Sequence, residues 1–451
     1  DSDPARRAAA PRPAKGDSLS LEIDSLAYGG KGIARRNGYV VFVSGALPGD
    51  RVRAEVTRAK RGYAEARAVE IVRPSRDRVP ERCDHGGEPC PGAPWQALPY
   101  EQQLSHKQQQ VDDALRRLGD LSGYELEPIE PAREQWRYRN KLEYSFGRRE
   151  GEGDGELVLG YHARGRWDQV VDAEDCLLAS EENNRARNEV RAWARAQRLS
   201  AYDRRAGTGV LRNLVVREGR RTGQLQTRLV TSPEEIPRPP VDLHTIVEGT
   251  GSGTDGPTGA LGREHLNEEL CGLRFRISHA AFFQTNTEMA EHLYRIAAEM
   301  AALEGNERLY DLFCGIGTLG LAMAGRAAEV WGIELVPEAV ADAQENARLN
   351  EIGNAHFRVG DARKEIRPLL EEAGRPEVAM VDPPRAGLSK KVVRRLIECE
   401  ARRVVYVSCN PTTLAPNAAQ LTEAGYRLRR VRPVDMFPQT PHIECVALLE
   451  R

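Results

Sequence analysis

Asp311-Leu312-Phe313-Cys314-Gly315-Ile316-Gly317-Thr318-Leu319-Gly320 sets a G-x-G-x-x-G spacing between an apolar run, Arg308 to Phe313, and an apolar helical stretch, Leu319 to Ala324. Glycines in such a turn let the backbone approach a ligand closely. The next apolar run, Glu329 to Glu334, closes on an acid roughly 20 residues after the loop, where a carboxylate can accept hydrogen bonds from both hydroxyls of a ribose. The glycines alone are a weak signal. Strand, loop, helix, strand and acid in that order predict a doubly wound α/β domain that holds an adenosine-containing cofactor.

Outward from the loop the alternation continues. Met289 to Glu304 reads as a helix, and Val378 to Val381 and Val404 to Val407 as further buried strands, so the α/β domain is expected over 286–451. Its crevice admits either a dinucleotide or S-adenosyl-L-methionine. Asp311, ending the first strand, suits the methionine ammonium and opposes a pyrophosphate. Asp361, in Val359-Gly360-Asp361-Ala362 at the end of the third strand, suits the adenine amino group. S-adenosyl-L-methionine is therefore expected, with a nicotinamide-dependent oxidoreductase as the rival.

Two further motifs follow apolar runs. Asp382-Pro383-Pro384-Arg385 ends the fourth strand beside the crevice; an acid-Pro-Pro turn that serves amino methylation would be followed by a stacking aromatic residue, and here Arg385 follows. Val404-Val405-Tyr406-Val407-Ser408-Cys409-Asn410-Pro411 brings a thiol to a strand end. A thiolate adding to C6 of a pyrimidine makes C5 nucleophilic, so Cys409 suits methylation at C5, and a base must then remove the C5 proton. Glu444, opening the final apolar strand, is the candidate base because burial raises its proton affinity, with His442 as competitor. A cytosine-C5 enzyme would generally carry a second functional cysteine in the turn that Asp382-Pro383-Pro384 occupies. Cys271, Cys314, Cys399 and Cys445 read as small apolar residues, with Cys445 facing away from Glu444.

Upstream, 16–75 reads as a small β-barrel of about five strands, broken by Gly29-Gly30, Asn37-Gly38 and Pro48-Gly49. The net charge of the 451 residues is −2, yet up to Arg76 there are 15 Lys and Arg against 9 Asp and Glu. Lys31, Arg35, Arg36, Arg51, Arg53, Arg58, Lys60 and Arg61, with Tyr28, Tyr39 and Tyr63, suit single-stranded RNA. Residues 1–15 read as a disordered leader, and 76–285 as a central α+β domain. That domain should contain a helix near Tyr100 to Leu118, strands at Trp136 to Lys141 and Leu157 to Tyr161, and a surface loop at Gly249 to Gly262. No stretch reaches the roughly 18 apolar residues of a membrane helix, and eight scattered cysteines do not form a disulfide framework. A cytoplasmic protein with neither a membrane association nor an obligate protein partner is expected.

Phe282-Phe283-Gln284-Thr285-Asn286, the Asp311 to Gly320 loop, Asp382-Pro383-Pro384-Arg385, Ser408-Cys409-Asn410-Pro411 and His442-Ile443-Glu444, in this order, closely resemble the motifs of the RNA 5-methyluridine (uracil-C5) methyltransferases. The resemblance covers nearly the whole chain. It implies a class I methyltransferase domain at the carboxy terminus, an OB-like TRAM barrel at the amino terminus and a central RNA-binding domain. It also implies that Gln284, Phe313, Thr318, Glu334, Asp361 and Asp382 line the S-adenosyl-L-methionine site, with Cys409 as nucleophile and Glu444 as base. TRAM domains occur on the ribosomal RNA members and are missing from the short tRNA enzymes of some bacteria, so 23S rRNA is the implied substrate. The alternatives are tRNA and a non-catalytic RNA-binding assembly factor.

Members of this architecture often hold a 4Fe–4S cluster on four cysteines, which implies Cys83, Cys90 and Cys176 here. The sequence departs from that pattern: the first spacing is one residue longer, and Ala93 stands where the third cysteine belongs, before Pro94-Trp95-Gln96. A non-cysteine fourth ligand such as His85, or a vestigial site, would accommodate the change.

Overall fold

The computed structural model describes residues 12–451 except 37, 86–87, 150–154, 164, 235, 240–243, 250–258, 262–264 and 280. Residues 1–11 of the expected leader, Asn37 of one expected turn and most of the loop expected at Gly249 to Gly262 lie outside the described residues. Two compact units form: Asp1–Arg82 with Ala93–Gln110 and Pro438–His442, and Cys83–Gly92 with Val111–Phe437 and Ile443–Arg451.

In the first unit, strands Ser18–Glu22, Arg51–Ala59, Tyr63–Arg73, Tyr39–Ser44, Gly32–Arg36 and Ser25–Leu26 lie in that order in one sheet. Six strands form where about five were expected, because the two-residue Ser25–Leu26 pairs with Gly32–Arg36. Alternation puts Leu19, Leu21, Val41, Val43, Val52, Ala54 and Val56 inside, a barrel-like core. Part of the basic surface is paired with acids: Lys31 Nζ lies 2.8 Å from Glu65, Arg53 2.8 Å from Glu70 and Arg35 3.6 Å from Asp24. The Tyr39 hydroxyl donates to Lys60 O at 2.6 Å, and the Tyr63 ring meets Phe42 edge-on at 5.6 Å.

The second unit contains two large sheets. One has seven strands, in the order Val170–Asp172, Glu156–His162, Lys141–Arg149, Leu211–Glu218, Leu225–Thr231, His244–Gly249 and Gly259–Leu261. Helix Glu181–Ala196, capped by the Ser180 side chain, packs Val190 and Trp193 onto the same core as Tyr144, Leu159 and Leu214. The strand expected from Trp136 starts only at Lys141. Arg137 has φ 54°, and the Asn140 amide donates to Thr285 O at 2.8 Å, so residues 136–140 turn away from the ladder before it begins.

The other sheet has eight strands, in the order Ala355–Val359, Glu329–Glu334, Arg308–Leu312, Val378–Val381, Arg403–Ser408, Glu444–Glu450, Arg427–Val434 and Glu125–Leu126. The first five are parallel, and Glu444–Glu450 is antiparallel to both of its neighbours. Val378–Val381 is buried throughout, as befits a parallel strand covered on both faces. The hairpin His265–Leu270 and Leu273–Ser278 sends Leu266, Leu270, Phe275 and Ile277 into the core shared by helix Thr287–Ala301 and this sheet. The segments expected to meet at 285 therefore share one unit, and the hairpin packs on the α/β side. Among the described residues no helix is long and apolar enough to cross a membrane.

Candidate functional site

The five parallel strands end at one edge of the sheet, where ligands of open α/β sheets bind. A strand running the other way must begin where they end, so Glu444 starts at the edge reached by Leu312, Glu334, Val381 and Ser408. The antiparallel register sharpens this placement. Ser408 pairs with Cys445, and one step beyond that pair Cys409 comes opposite Glu444. Glu444 is close enough there for its charge to act on the Cys409 thiol.

Local chemistry holds Cys409 in a tight turn. Ser408 Oγ accepts the Asn410 amide and donates to Asn410 O, both at 3.1 Å, bracketing the cysteine. Asn410 caps helix Pro411–Glu423 through the Thr412 amide, with Pro411 at the first helical position. The Asn410 side-chain amide also donates to Arg385 O at 3.0 Å, tying this turn to Asp382-Pro383-Pro384-Arg385. The Asp382 amide in turn donates to Leu312 O at 3.3 Å, so the acid-Pro-Pro turn abuts the strand before the glycine loop.

The acids at this edge repel one another. Asp311 is pushed up to about 7 by burial, opposed by the Gly320 amide and assisted by Glu334. Asp382 reaches about 7 through desolvation and then through Asp311, although part of its surface is open. Glu444, 5% exposed, is held well above the usual carboxylate range by burial and then by Asp382. The half-buried Cys409 thiol is pushed up to about 11 by burial and then by Glu444 and Asp382, with Arg385 opposing. His442, the competing base, is exposed, and its amide donates to Thr440 Oγ1.

In the loop, Phe313, Gly315 and Gly317 all adopt left-handed backbone, with φ of 68°, 54° and 81°. A Cβ at Gly315 would meet open space, whereas one at Gly320 would lie 2.7 Å from Asp311 Oδ2. Asp311 Oδ2 accepts the Gly320 amide at 2.9 Å, and the other oxygen, Oδ1, is buried with no hydrogen-bond partner. Glu334 accepts from the Gly315 amide at 3.1 Å and from the Val336 amide at 2.9 Å, joining the second strand to the loop. Leu335 and Val359 expose large apolar side chains at the same edge. The Thr318 hydroxyl meets the Tyr294 hydroxyl at 2.9 Å.

Asp361 lies past its strand, which stops at Val359, and caps helix Ala362–Ala373; its carboxylate is also ion-paired with Arg363. Gln284 is buried, and its carbonyl accepts from the Asn140 side chain at 2.8 Å. Asn140 also donates to Thr287 Oγ1 at 2.8 Å, fastening the Phe282 to Asn286 segment to the seven-stranded sheet. Sequence reasoning missed Asn140 as a support, since no local signal marks it. Of the cysteines read as small apolar residues, Cys314, Cys399 and Cys445 are buried, but Cys271 is exposed in the turn between two hairpin strands at φ 52°.

Cys83, His85 and Cys90 converge, with Sγ, ring nitrogen and Sγ all within 4.8 Å of one another. The Cys90 thiol and then His85 hold Cys83 down at about 5, against its burial. Cys176 is outside this group; its buried sulfur meets the Tyr161 hydroxyl at 3.2 Å.

Residues 261–451 match the model of the tRNA (uracil-5-)-methyltransferase family, and residues 14–69 that of the TRAM domain. An uncharacterized RNA methyltransferase of Halalkalibacterium halodurans is 37% identical over 97% of this chain and 97% of its own length. Another, of Bacteroides thetaiotaomicron, is 39% identical over 94% of this chain and all of its own length. Among solved structures, the Pyrococcus abyssi tRNA (uracil-54, C5)-methyltransferase in complex with S-adenosyl-L-homocysteine superposes with a TM-score of 0.76. It is 27% identical and covers 96% of this chain and 100% of its own.

Proposed function

The chain belongs to the RNA uracil-C5 methyltransferase family and is an S-adenosylmethionine-dependent enzyme of that kind; we propose that it makes 5-methyluridine in 23S rRNA through a covalent bond between Cys409 and C6 of the target base. The cytoplasm, where RNA is at hand and thiols stay reduced, is the compartment this function assigns. The observation that carries the covalent step is the register that puts Cys409 opposite Glu444, one step beyond the Ser408–Cys445 pair.

The residues present fit S-adenosylmethionine. Asp311 Oδ1, buried without a partner, suits the ammonium of the amino-acid end. Glu334 keeps lone pairs for the ribose hydroxyls, and the open space at Gly315 leaves room beside the loop backbone. Gln284, Phe313, Thr318 and Asp382 line the remainder, while Asp361 serves adenine only by sharing a carboxylate that Arg363 already engages. When bound, the cofactor supplies an electrophilic methyl group on a sulfonium.

The uracil must leave its stack for sulfur to reach C6 from above the ring. Cys409 gives up its proton to solvent water, and its sulfur bonds to C6 as the C5–C6 π pair moves toward O4. C5 then takes the methyl group. Glu444 removes the C5 proton, the released pair restores the C5–C6 double bond, and the bond to Cys409 sulfur breaks. RNA carrying 5-fluorouridine blocks that last stage, because fluorine cannot leave as a proton. With labelled S-adenosylmethionine it should trap a protein–RNA adduct in the wild type and none in Cys409→Ala. Absence of the adduct in the wild type, or its survival in the variant, rejects the mechanism.

The TRAM domain over residues 14–69 supports 23S rRNA through the sequence resemblance, which implies such a domain on the ribosomal RNA members. A second substrate, tRNA, is favoured by the full-length match to the Pyrococcus abyssi enzyme. Methylation of 23S fragments but not of unmodified tRNA separates the two; the reverse result assigns tRNA.

The 4Fe–4S cluster implied by the sequence resemblance does not fit the residues present. Ala93 offers no thiol, and Cys176 stands outside the group that Cys83, His85 and Cys90 form. No step of the reaction is routed through such a cluster.

A further inference from the structure

We propose that Cys83, His85 and Cys90 form a site for one divalent cation of the zinc class, in place of an iron–sulfur cluster. Asp84 pairs with Pro89 and His85 with Glu88 in a two-stranded antiparallel hairpin, Asp84–His85 against Glu88–Pro89. Carried one step outward, that register opposes Cys83 and Cys90. Opposed residues share a face, and residues two apart on one strand share it too, so all three side chains gather on one side of the hairpin. Their ligand atoms lie within 4.8 Å of one another.

The spacing decides between one ion and a cluster. Zn–S of about 2.3 Å and Zn–N of about 2.0 Å at tetrahedral angles put two ligands of one ion about 3.5 Å apart. Cys83 Sγ and His85 Nε2 stand 3.3 Å apart. Ligands of a four-iron cube sit on different irons at its corners and must stand much farther apart. Two thiolates with one imidazole also select zinc-class ions over magnesium or calcium, which prefer oxygen. The Leu177 amide donates to the Cys83 sulfur, the kind of outer hydrogen bond that steadies a coordinating thiolate. A fourth ligand, water or a further thiol, completes the tetrahedron.

The test uses the full chain, stripped of metal and titrated with cobalt(II) as an optical stand-in. One cobalt per chain is expected, with tetrahedral d–d bands and a thiolate charge-transfer band, all displaced by zinc. Cys83→Ser should halve the charge-transfer band, and His85→Ala should weaken cobalt binding at least tenfold. Far-ultraviolet circular dichroism checks that the variants fold, and His85→Cys should restore one cobalt per chain with a stronger charge-transfer band. Failure of the folded wild type to bind cobalt overturns the proposal. So does anaerobic reconstitution that loads four irons and four sulfides per chain in the wild type, whether or not His85→Ala abolishes the loading.

Discussion

Asp311 holds the Gly320 amide at 2.9 Å with one carboxylate oxygen and leaves the other buried without a partner. A carboxyl whose pKa is higher folded than unfolded binds its proton more tightly when folded. The benefit is complete below the unfolded value near 4 and fades as pH rises toward the folded value of about 7. Asp311→Asn keeps an oxygen for Gly320 and removes the titration. It should match the wild type in thermal stability at pH 4 and exceed it at pH 8 by on the order of 2 kcal/mol, a gain of a few degrees. Calorimetric titration should show S-adenosylmethionine binding weakened at least tenfold. Equal stability of the two proteins at pH 8 would contradict the strain assigned to this carboxylate.

Two glycines of the same loop should fail differently. Gly320→Ala drives a methyl to 2.7 Å from Asp311 Oδ2 and 3.0 Å from Val330, in a packed core, and should cost about 1–3 kcal/mol of stability. Gly315→Ala meets no atom within 4 Å and pays only the left-handed backbone penalty, about 1 kcal/mol. Its methyl projects into the open space assigned to the cofactor. Melting temperature should therefore fall more in Gly320→Ala, while Gly315→Ala should lose cofactor affinity with little change in melting; equal melting of the two would refute the packing argument.

What the sequence revealed was what its neighbours determine. The loop, Glu334 and the strand carrying Cys409 are set by spacing and apolar runs within about twenty residues. Asn140 was invisible because its partners, Gln284 and Thr287, lie 144 and 147 positions away and only tertiary packing joins them. Cys409 and Glu444 were each legible as candidates, but their opposition depends on strand register, which the insertion of Glu444–Glu450 between two other strands creates. Asp361 was legible from its place after a strand, whereas Arg363, two residues on, engages its carboxylate through a helix cap and an ion pair. The missing Ala93 thiol was plain, whereas the convergence of His85 on Cys83 and Cys90 needed the hairpin register.

The Cys409 thiol, raised to about 11, predicts slow alkylation in the free protein at neutral pH. The thiolate is the nucleophile, so its rate with iodoacetamide should rise close to tenfold per pH unit from 7 to 10 and level off only above that. Because burial and the charges of Glu444 and Asp382 raise this value, Glu444→Gln should move the profile to lower pH. Mass spectrometry of the peptide bearing Cys409 reads the rate. A plateau already reached at pH 8 would show that the thiol is not held up as described.

Glu444→Gln also separates the two halves of the reaction. Glutamine keeps the size of the side chain and cannot take the C5 proton, whereas addition of Cys409 sulfur to C6 does not require Glu444. The variant should therefore bond to ordinary, fluorine-free RNA, accept one methyl group and stall. The result is a protein–RNA band that survives denaturing electrophoresis, with turnover down by about 10²–10⁴-fold. Adding Cys409→Ala to the variant should remove the band, since no sulfur remains to form the bond. Turnover near the wild-type rate in Glu444→Gln would transfer the proton step to another group, with His442 the first to be tested.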